Sequence, residues 1–379
     1  MKRAELIELS LNLSDLPGAP GFENAVAEYC AGELKKLYPE LEKLSQVELA
    51  LKPEKALAAG SLAIDKMQNL SLSLPQNKGG RLRVLLDSHL DEVAFMVRGI
   101  EANALLRIQA LGGWSSLNIS AHTYLLPGKS GKMHRAVTAS IPPHYLKKEE
   151  RNKLPESDAF LLDLGTRDPE DLKRWGIGLG TPVIPEFKAS FDPEQELIWG
   201  KAFDCRAGCA AQLNCLDLLR GKNLEVDVFS CFSAQEEVGI RGAEVLAKRF
   251  APDLAIVFEG CPADDSFGAP EQWQTAVGKG PMLRYLDQGM ITNPAFQNWA
   301  LKEAEAAGIP VQTAVRQGGS TNARAYHLSA KGTACIVVGV PVRYAHTHYG
   351  QIALSDLENA AKLVALLLEK LSPEVYEAL

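Results

Sequence analysis

A chain of 379 residues is longer than one average domain, and 46% hydrophobic content is ample for a core. Its formal charge of −7, with no long basic run to offset it, argues against a nucleic-acid or anionic-membrane partner. No stretch reaches the roughly 18 apolar residues of a membrane span, the start Met1-Lys2-Arg3-Ala4-Glu5 is too polar for a signal peptide, and seven cysteines without metal-type pairing fit reduced thiols in a cytoplasmic protein.

In chain order, Val26, Tyr29, Cys30, Leu34 and Leu37 have helical spacing and predict a helix over 24–37. Arg83-Val84-Leu85-Leu86-Asp87 reads as a buried strand running into Ser88-His89-Leu90-Asp91-Glu92. From about Ala94 to Glu186, short alternating runs such as Val97-Arg98-Gly99-Ile100 are separated by Gly and Pro turns, which suggests a small β-rich insertion. Leu197 to Phe203 then delivers Asp204, followed by a helix-like stretch. The apolar run Val226 to Phe232 leads into Ala234-Gln235-Glu236-Glu237-Val238-Gly239, and Leu254 to Phe258 ends in Glu259. A helix is expected over 296–307, with Gly308 after it. Ala334 to Val338 precedes His346. Ser355-Asp356-Leu357-Glu358 has the form of a capping box opening a helix to about Leu371, which Pro373 follows.

Strands alternating with helices on both sides of the insertion imply an α/β fold with a mixed, largely parallel sheet flanked by helices. The insertion falls inside the polar constellation, so residues 1–93 and 187–379 are expected to form one catalytic domain around residues 94–186.

Five strand-like segments thus end near an imidazole or a carboxylate. Active sites of α/β sheets open outside the carboxyl ends of the strands. Imidazole and carboxylate are ligands for borderline divalent metals, and two His with three carboxylates suit two ions sharing a bridging carboxylate. The adjacent Glu236 and Glu237 point different ways, so one can bind a metal while the other handles protons. The competing reading is a plain α/β protein with polar strand ends.

Taken together, His89-Leu90-Asp91-Glu92-Val93, Gly200 to Gly208, Gln235 to Gly239, Gly278-Lys279-Gly280-Pro281 and Arg343-Tyr344-Ala345-His346 resemble the glutamyl-aminopeptidase and tetrahedral-aminopeptidase family of dinuclear metallopeptidases, some of which carry an endoglucanase label. Gly18 to Glu23 and Ile141-Pro142-Pro143-His144 extend the resemblance over nearly the whole chain. It implies that Asp204 bridges two metals, that His89 and Glu259 complete one site, and that Glu237 and His346 complete the other. Glu236 would be the general base, and Asp91 would orient His89. Two divalent ions per subunit are implied, zinc or cobalt first and manganese also tolerated. The insertion would mediate dimerisation, and dimers would assemble into a twelve-subunit shell.

Two positions depart from the family pattern. Cys205 stands where an Asp is usual after the bridging Asp, within a peptide that tends to be cis, and Asn322 also replaces an Asp. Among the other histidines, His348 is the rival of His346, because in an extended segment the two would share a face; only the match to Arg343-Tyr344 favours His346. Gly278 to Pro281 lacks Walker spacing and reads as a turn beside the site, Asp264-Asp265 reads as loop, and no G-x-S-x-G elbow is present. The leading expectation is a metal-dependent aminopeptidase acting on short peptides. The alternatives are the same metals acting on another amide, such as an N-acylated amino acid, and an inactive shell-forming binding protein. A polysaccharide hydrolase fits poorly, since glycosidases normally use a carboxylic-acid pair without two metals.

Overall fold

Four apolar runs become the centre of one sheet. In the computed structural model, which describes every residue except Glu150, Arg151, Asn152, Leu154, Ser157, Asp158, Ala330 and Lys331, the strands Asp227–Ser233, Arg83–His89, Leu254–Pro262 and Ala334–Val342 lie side by side and parallel. Their runs are continuous rather than alternating because both faces of the sheet are covered. Val84, Leu86, Ile256, Phe258, Ile336 and Val338 pack toward the helices Arg3–Asp15, Asn24–Leu37, Phe203–Leu218 and Leu354–Lys370. Leu85, Ala255, Val257, Cys335 and Val337 pack toward Arg241–Phe250 and Ala323–His327. Antiparallel neighbours, Leu70–Ser73 on one side and Met282–Leu286 on the other, make the nine-stranded sheet mixed.

Three local readings are corrected. Leu197–Gly200 is not in this sheet; it pairs with Ser190–Asp192 and Gly350–Ala353 in a separate three-stranded sheet, so Asp204 arrives at the first turn of the helix Phe203–Leu218. The helix Leu354–Lys370 starts one residue before Ser355, and no capping box forms: Glu358 is drawn to Arg3 at 3.0 Å, and Asp356 accepts the amides of Gly278 and Gly280 at 2.6 and 2.8 Å. The helix expected from Phe296 begins at Pro294, capped by Asn293, whose side chain accepts the amides of Ala295 and Phe296. The helix Asn24–Leu37 has the expected bounds. Arg3–Asp15 was not anticipated, although Leu6, Leu9 and Leu13 carry a helical apolar spacing and are buried.

Between His89 and Asp204 the chain closes a six-stranded barrel, in the order Pro182–Pro185, Ala94–Ile100, Leu106–Leu111, Leu161–Asp163, Met133–Ala139 and Thr123–Pro127. Inward residues including Phe95, Val97, Leu106, Ile108, Tyr124 and Val183 fill it.

Close backbone approach sets Asp204 against the sheet. A side chain at Gly260 would lie 2.2 Å from the Phe203 carbonyl and 2.7 Å from the Asp204 Cα, and one at Gly208 would lie 3.2 Å from the Glu259 amide. Glycine at both points lets the helix ride directly on the strand that carries Glu259.

Candidate active site

The carboxyl ends of the four central strands bring the polar residues together. Ser233 pairs with His89 in register, and Glu259 pairs with Gly339. Asp204 lies at the crossing: its Oδ1 is 3.0 Å from His89 Nε2, and its Oδ2 is 3.2 Å from His346 Nε2. Glu259 Oε1 is 3.4 Å from His89 Nε2, while Glu237 Oε1 is 3.5 Å from His346 Nε2. Glu236 stands between, with Oε2 at 3.9 Å from His89 Nε2. The Asp204–Cys205 peptide is cis.

Both imidazoles are held by the opposite nitrogen. His89 Nδ1 donates to the Asp91 carbonyl at 3.1 Å and lies 3.4 Å from Asp91 Oδ1. His346 Nδ1 donates to the Gly113 carbonyl at 2.9 Å. With Nδ1 of each ring donating to a backbone carbonyl, Nε2 is turned toward Asp204; an ion bound there would take the place of the Nε2 proton and leave the neutral tautomer that a metal ligand needs.

The turn carrying Glu236 and Glu237 hangs from other carboxylates. Asp91 accepts the amides of Glu236 and Glu237 at 2.9 and 3.0 Å, and Glu23 accepts the Gln235 amide at 3.0 Å. Burial, reinforced by Asp91, pushes Glu23 up to about 7. Beneath the loop after His89, Lys201 Nζ meets both oxygens of buried Glu92 at 2.6 Å, and Arg206 donates to the carbonyls of Leu90 and Leu13 at 2.8 and 2.6 Å. Glu92, Lys201 and Arg206 all lie inside the sequence motifs, yet only the fold shows that they form one buried cluster. Gly112 and Gly113, from the barrel, were also missed; a side chain at Gly113 would lie 3.1 Å from His346 Nδ1.

The electrostatics are those of a crowded acidic site. Burial pushes Glu237 up to about 8 despite His346, and it holds Glu236 well above the usual carboxylate range, with Glu259, Glu237 and Asp204 adding to the shift. Burial opposes protonation of His346, but its hydrogen bond to Asp204 and the charge of Glu237 raise it to about 10. Glu237 Oε1 is buried without a hydrogen-bond partner. Buried carboxylates this close need a cation. The donor atoms of His89, Asp204 and Glu237 lie within 4.8 Å of one another, as do those of His89, Cys205 and Glu259. This set of imidazole and carboxylate fits borderline divalent ions. The Cys205 thiol donates to the Phe258 carbonyl at 3.3 Å.

His348 goes elsewhere. It is buried against the barrel, stacked on His122 with ring centroids 3.8 Å apart, and burial lowers it to about 3. Asn322 donates to Ser233 Oγ at 2.6 Å and does not reach the imidazoles. Asp264 and Asp265 pair with Arg316 and Arg343.

A cleft of about 690 Å³ opens over the site, lined by Asp204, Glu236, Glu237, Glu259 and His346 and also by Arg284, Arg316 and Arg324. Arg284 is buried and paired with Asp287 at 2.9 Å, and Arg316 is paired with Asp264 at 3.1 Å. Arg324 is exposed and has no acidic partner among the described residues. A larger groove of about 860 Å³ beside the helix Arg241–Phe250 shares Gly239, Ile240 and Arg324 with this cleft but contains none of the candidate ligands.

The M42 glutamyl aminopeptidase family profile matches residues 69–363. The glutamyl aminopeptidase of Lactococcus lactis subsp. cremoris is 30% identical over 371 residues, 98% of each chain. Among solved structures, a TET aminopeptidase from a marine sediment archaeon of the Thaumarchaeota is 30% identical, covers 99% of both chains and superposes with a TM-score of 0.87. A TET peptidase of Pyrococcus horikoshii, described as assembling into a tetrahedron or a large octahedral shell, shares the fold at 24% identity and a TM-score of 0.79, covering 97% of this chain and all of that one.

Proposed function

From the premise that this chain belongs to the M42 glutamyl aminopeptidase family, and is therefore an aminopeptidase and a hydrolase, we propose that it removes N-terminal residues from short peptides at a site built for two divalent ions. The observation that carries this reading is the division of Asp204, one oxygen toward His89 and the other toward His346. In this reading His89 and Glu259 hold one ion, Glu237 and His346 the other, and Asp204 both. Zinc and cobalt suit this donor set best, and manganese is also accommodated. Bound there, the ions would acidify a water and polarise the scissile carbonyl.

The chain's own residues supply the rest. Glu236 is the one carboxylate of the cluster left free of ligand duty, and its high proton affinity suits a base that takes a proton from water and returns it to the leaving amine. Asp91 keeps His89 in its tautomer and fixes the Glu236 backbone. Glu237 and Glu259 line the cleft and can also receive the substrate's free ammonium group.

The arginines lining the cleft support an acidic first residue, in keeping with the glutamyl name of the Lactococcus relative. Arg284 and Arg316 are already paired; Arg324 is left to meet a carboxylate side chain. We further propose that residues 94–186 form an inserted dimerisation domain within a catalytic domain of residues 1–93 and 187–379, that the chain assembles as a dimer-based oligomer up to a dodecamer, and that it works in the cytoplasm. Its seven cysteines are all buried and unpaired, and no helix among the described residues is long and apolar enough to cross a membrane.

The test is turnover of an aminoacyl panel by metal-stripped protein reloaded with zinc or cobalt. Metal-dependent release, fastest for glutamyl and aspartyl substrates, is expected. No release from any peptide by fully loaded protein would overturn the reading.

A further inference from the structure

A second cleft, of about 590 Å³, joins the catalytic one at Pro262 and His346 and contains none of the candidate carboxylates. We propose that it is the subsite for the side chain of the substrate's second residue, the one on the leaving amine, and that it selects an apolar or aromatic side chain there. The proposal rests on the aminopeptidase reading. A peptide held by its ammonium group at Glu237 and Glu259, with its first side chain toward Arg324, has its leaving amine beside His346, where this cleft begins.

Apart from Ser266 and His346, its walls are apolar or aromatic. Ala263 and Val342 form a buried base, while Phe267 and Tyr344 line the mouth at 67% and 44% exposure. Scattered exposed apolar residues need no explanation, but two large aromatic rings lining one cleft beside a reaction centre mark a binding surface. The charged group nearest this cleft in sequence is already used: Arg343 grips Asp265 through two bonds of 2.9 and 2.6 Å. A charged occupant would therefore find no free charged partner among the described residues lining it.

The cleft is also built to hold its shape. That ion pair ties the segment after Leu254–Pro262 to the segment after Ala334–Val342, and the Ala263 amide donates to the Val342 carbonyl at 2.8 Å. Asp265 additionally accepts the Val277 amide at 3.0 Å. Tyr344 and His346 both have left-handed backbone, with φ of 62° and 60°, a conformation that side chains other than glycine adopt where the surroundings enforce it. The same short segment thus sets the imidazole of the reaction centre and the ring at the cleft mouth, which couples occupancy of the subsite to placement of the leaving amine.

The experiment compares kcat/KM for dipeptides Xaa-Phe and Xaa-Gly, with Xaa the first residue cleaved fastest in the aminoacyl panel, for metal-loaded wild type, Phe267→Ser, Tyr344→Ser and Phe267→Leu, with the mass of each assembly measured alongside. Wild type is expected to favour Xaa-Phe by about tenfold or more, the discrimination an apolar pocket provides. Each Ser variant should pull that ratio several-fold toward one, and Phe267→Leu should restore most of it. A wild-type ratio near one, or a ratio unchanged in both Ser variants, overturns the subsite while leaving the aminopeptidase intact. An unchanged ratio with a smaller assembly mass overturns it in favour of a neighbouring copy covering the cleft. No release from either dipeptide sinks the aminopeptidase reading and the subsite with it.

Discussion

Asp91 holds Glu236 by its backbone: Oδ1 accepts the Glu236 amide at 2.9 Å, while Oδ2 accepts the next amide, that of Glu237, at 3.0 Å. The same carboxylate lies 3.4 Å from His89 Nδ1. One side chain therefore sets the imidazole and the two glutamates against each other. Asp91→Asn replaces an acceptor by an amide NH₂ that faces a backbone donor, so one of these links must break. Metal affinity or activity should fall roughly 10–100-fold, as when partners of metal ligands are removed. Isothermal titration with zinc, run beside kcat, checks this; unchanged affinity and rate would show that the turn is held without Asp91.

Glu236→Gln keeps shape and removes the proposed base. The expected result is a drop in kcat of about 10²–10⁴ with bound metal retained. Elemental analysis of the purified variant separates this from loss of a ligand. A variant that turns over normally would remove Glu236 from proton transfer.

The Lys201–Glu92 pair is fully buried, with Nζ 2.6 Å from both carboxylate oxygens. Burial pulls Lys201 below its ordinary value, and Glu92 opposes that pull. Lys201→Met strands a buried charge, for which a loss of about 3–5 kcal/mol is expected. Denaturant unfolding measures it, and Lys201→Met combined with Glu92→Gln should be less damaging than Lys201→Met alone. An additive double variant would mean that Arg206 alone suffices for Glu92.

Asp356 gives a pH signature away from the reaction centre. Burial raises it from 3.8 to about 6, against the amides of Gly278 and Gly280 that favour its charged form. Between those two values the folded protein binds more protons than the unfolded chain, so stability falls as pH rises. The contribution is complete below 3.8 and lost through about 6, roughly 3 kcal/mol in all. Asp356→Asn should flatten that part of the stability curve, measured by urea unfolding from pH 4 to 7; an unchanged slope would assign it to other groups.

Removing the ions should destabilise the fold as well as stop turnover. Chelator-treated protein is expected to melt lower and to recover on adding zinc or cobalt, by the mass action of a ligand that binds only the native state. Calorimetric titration should reach two ions per chain. Saturation at one would leave Asp204 serving a single ion.

The parallel strands and the carboxylates at their ends were legible because each strand is a run of apolar residues closed by a polar one, a pattern that depends on local sequence alone. Glu236 and Glu237 were legible for the same reason. The choice between His346 and His348 was not. The extended-strand argument puts them on one face, but the backbone at His346 is left-handed, so the two rings diverge, one into the reaction centre and the other onto His122. The Lys201, Glu92 and Arg206 cluster depends on contacts between segments more than 100 residues apart, which periodicity cannot show. The missing capping box is of the same kind: Glu358 had the right spacing, and a tertiary partner, Arg3, took it.

The Gly112–Gly113 loop at the end of the barrel strand Leu106–Leu111 has a consequence for modularity. A side chain at Gly112 would lie 3.1 Å from Glu237 Oε2, and the Gly113 carbonyl anchors His346. The barrel is thus a structural component of the candidate site as well as an insertion between His89 and Asp204. A minimal enzyme made by excising it would lose the tether of one imidazole. A chimera that grafts in another barrel must bring two glycines at this point.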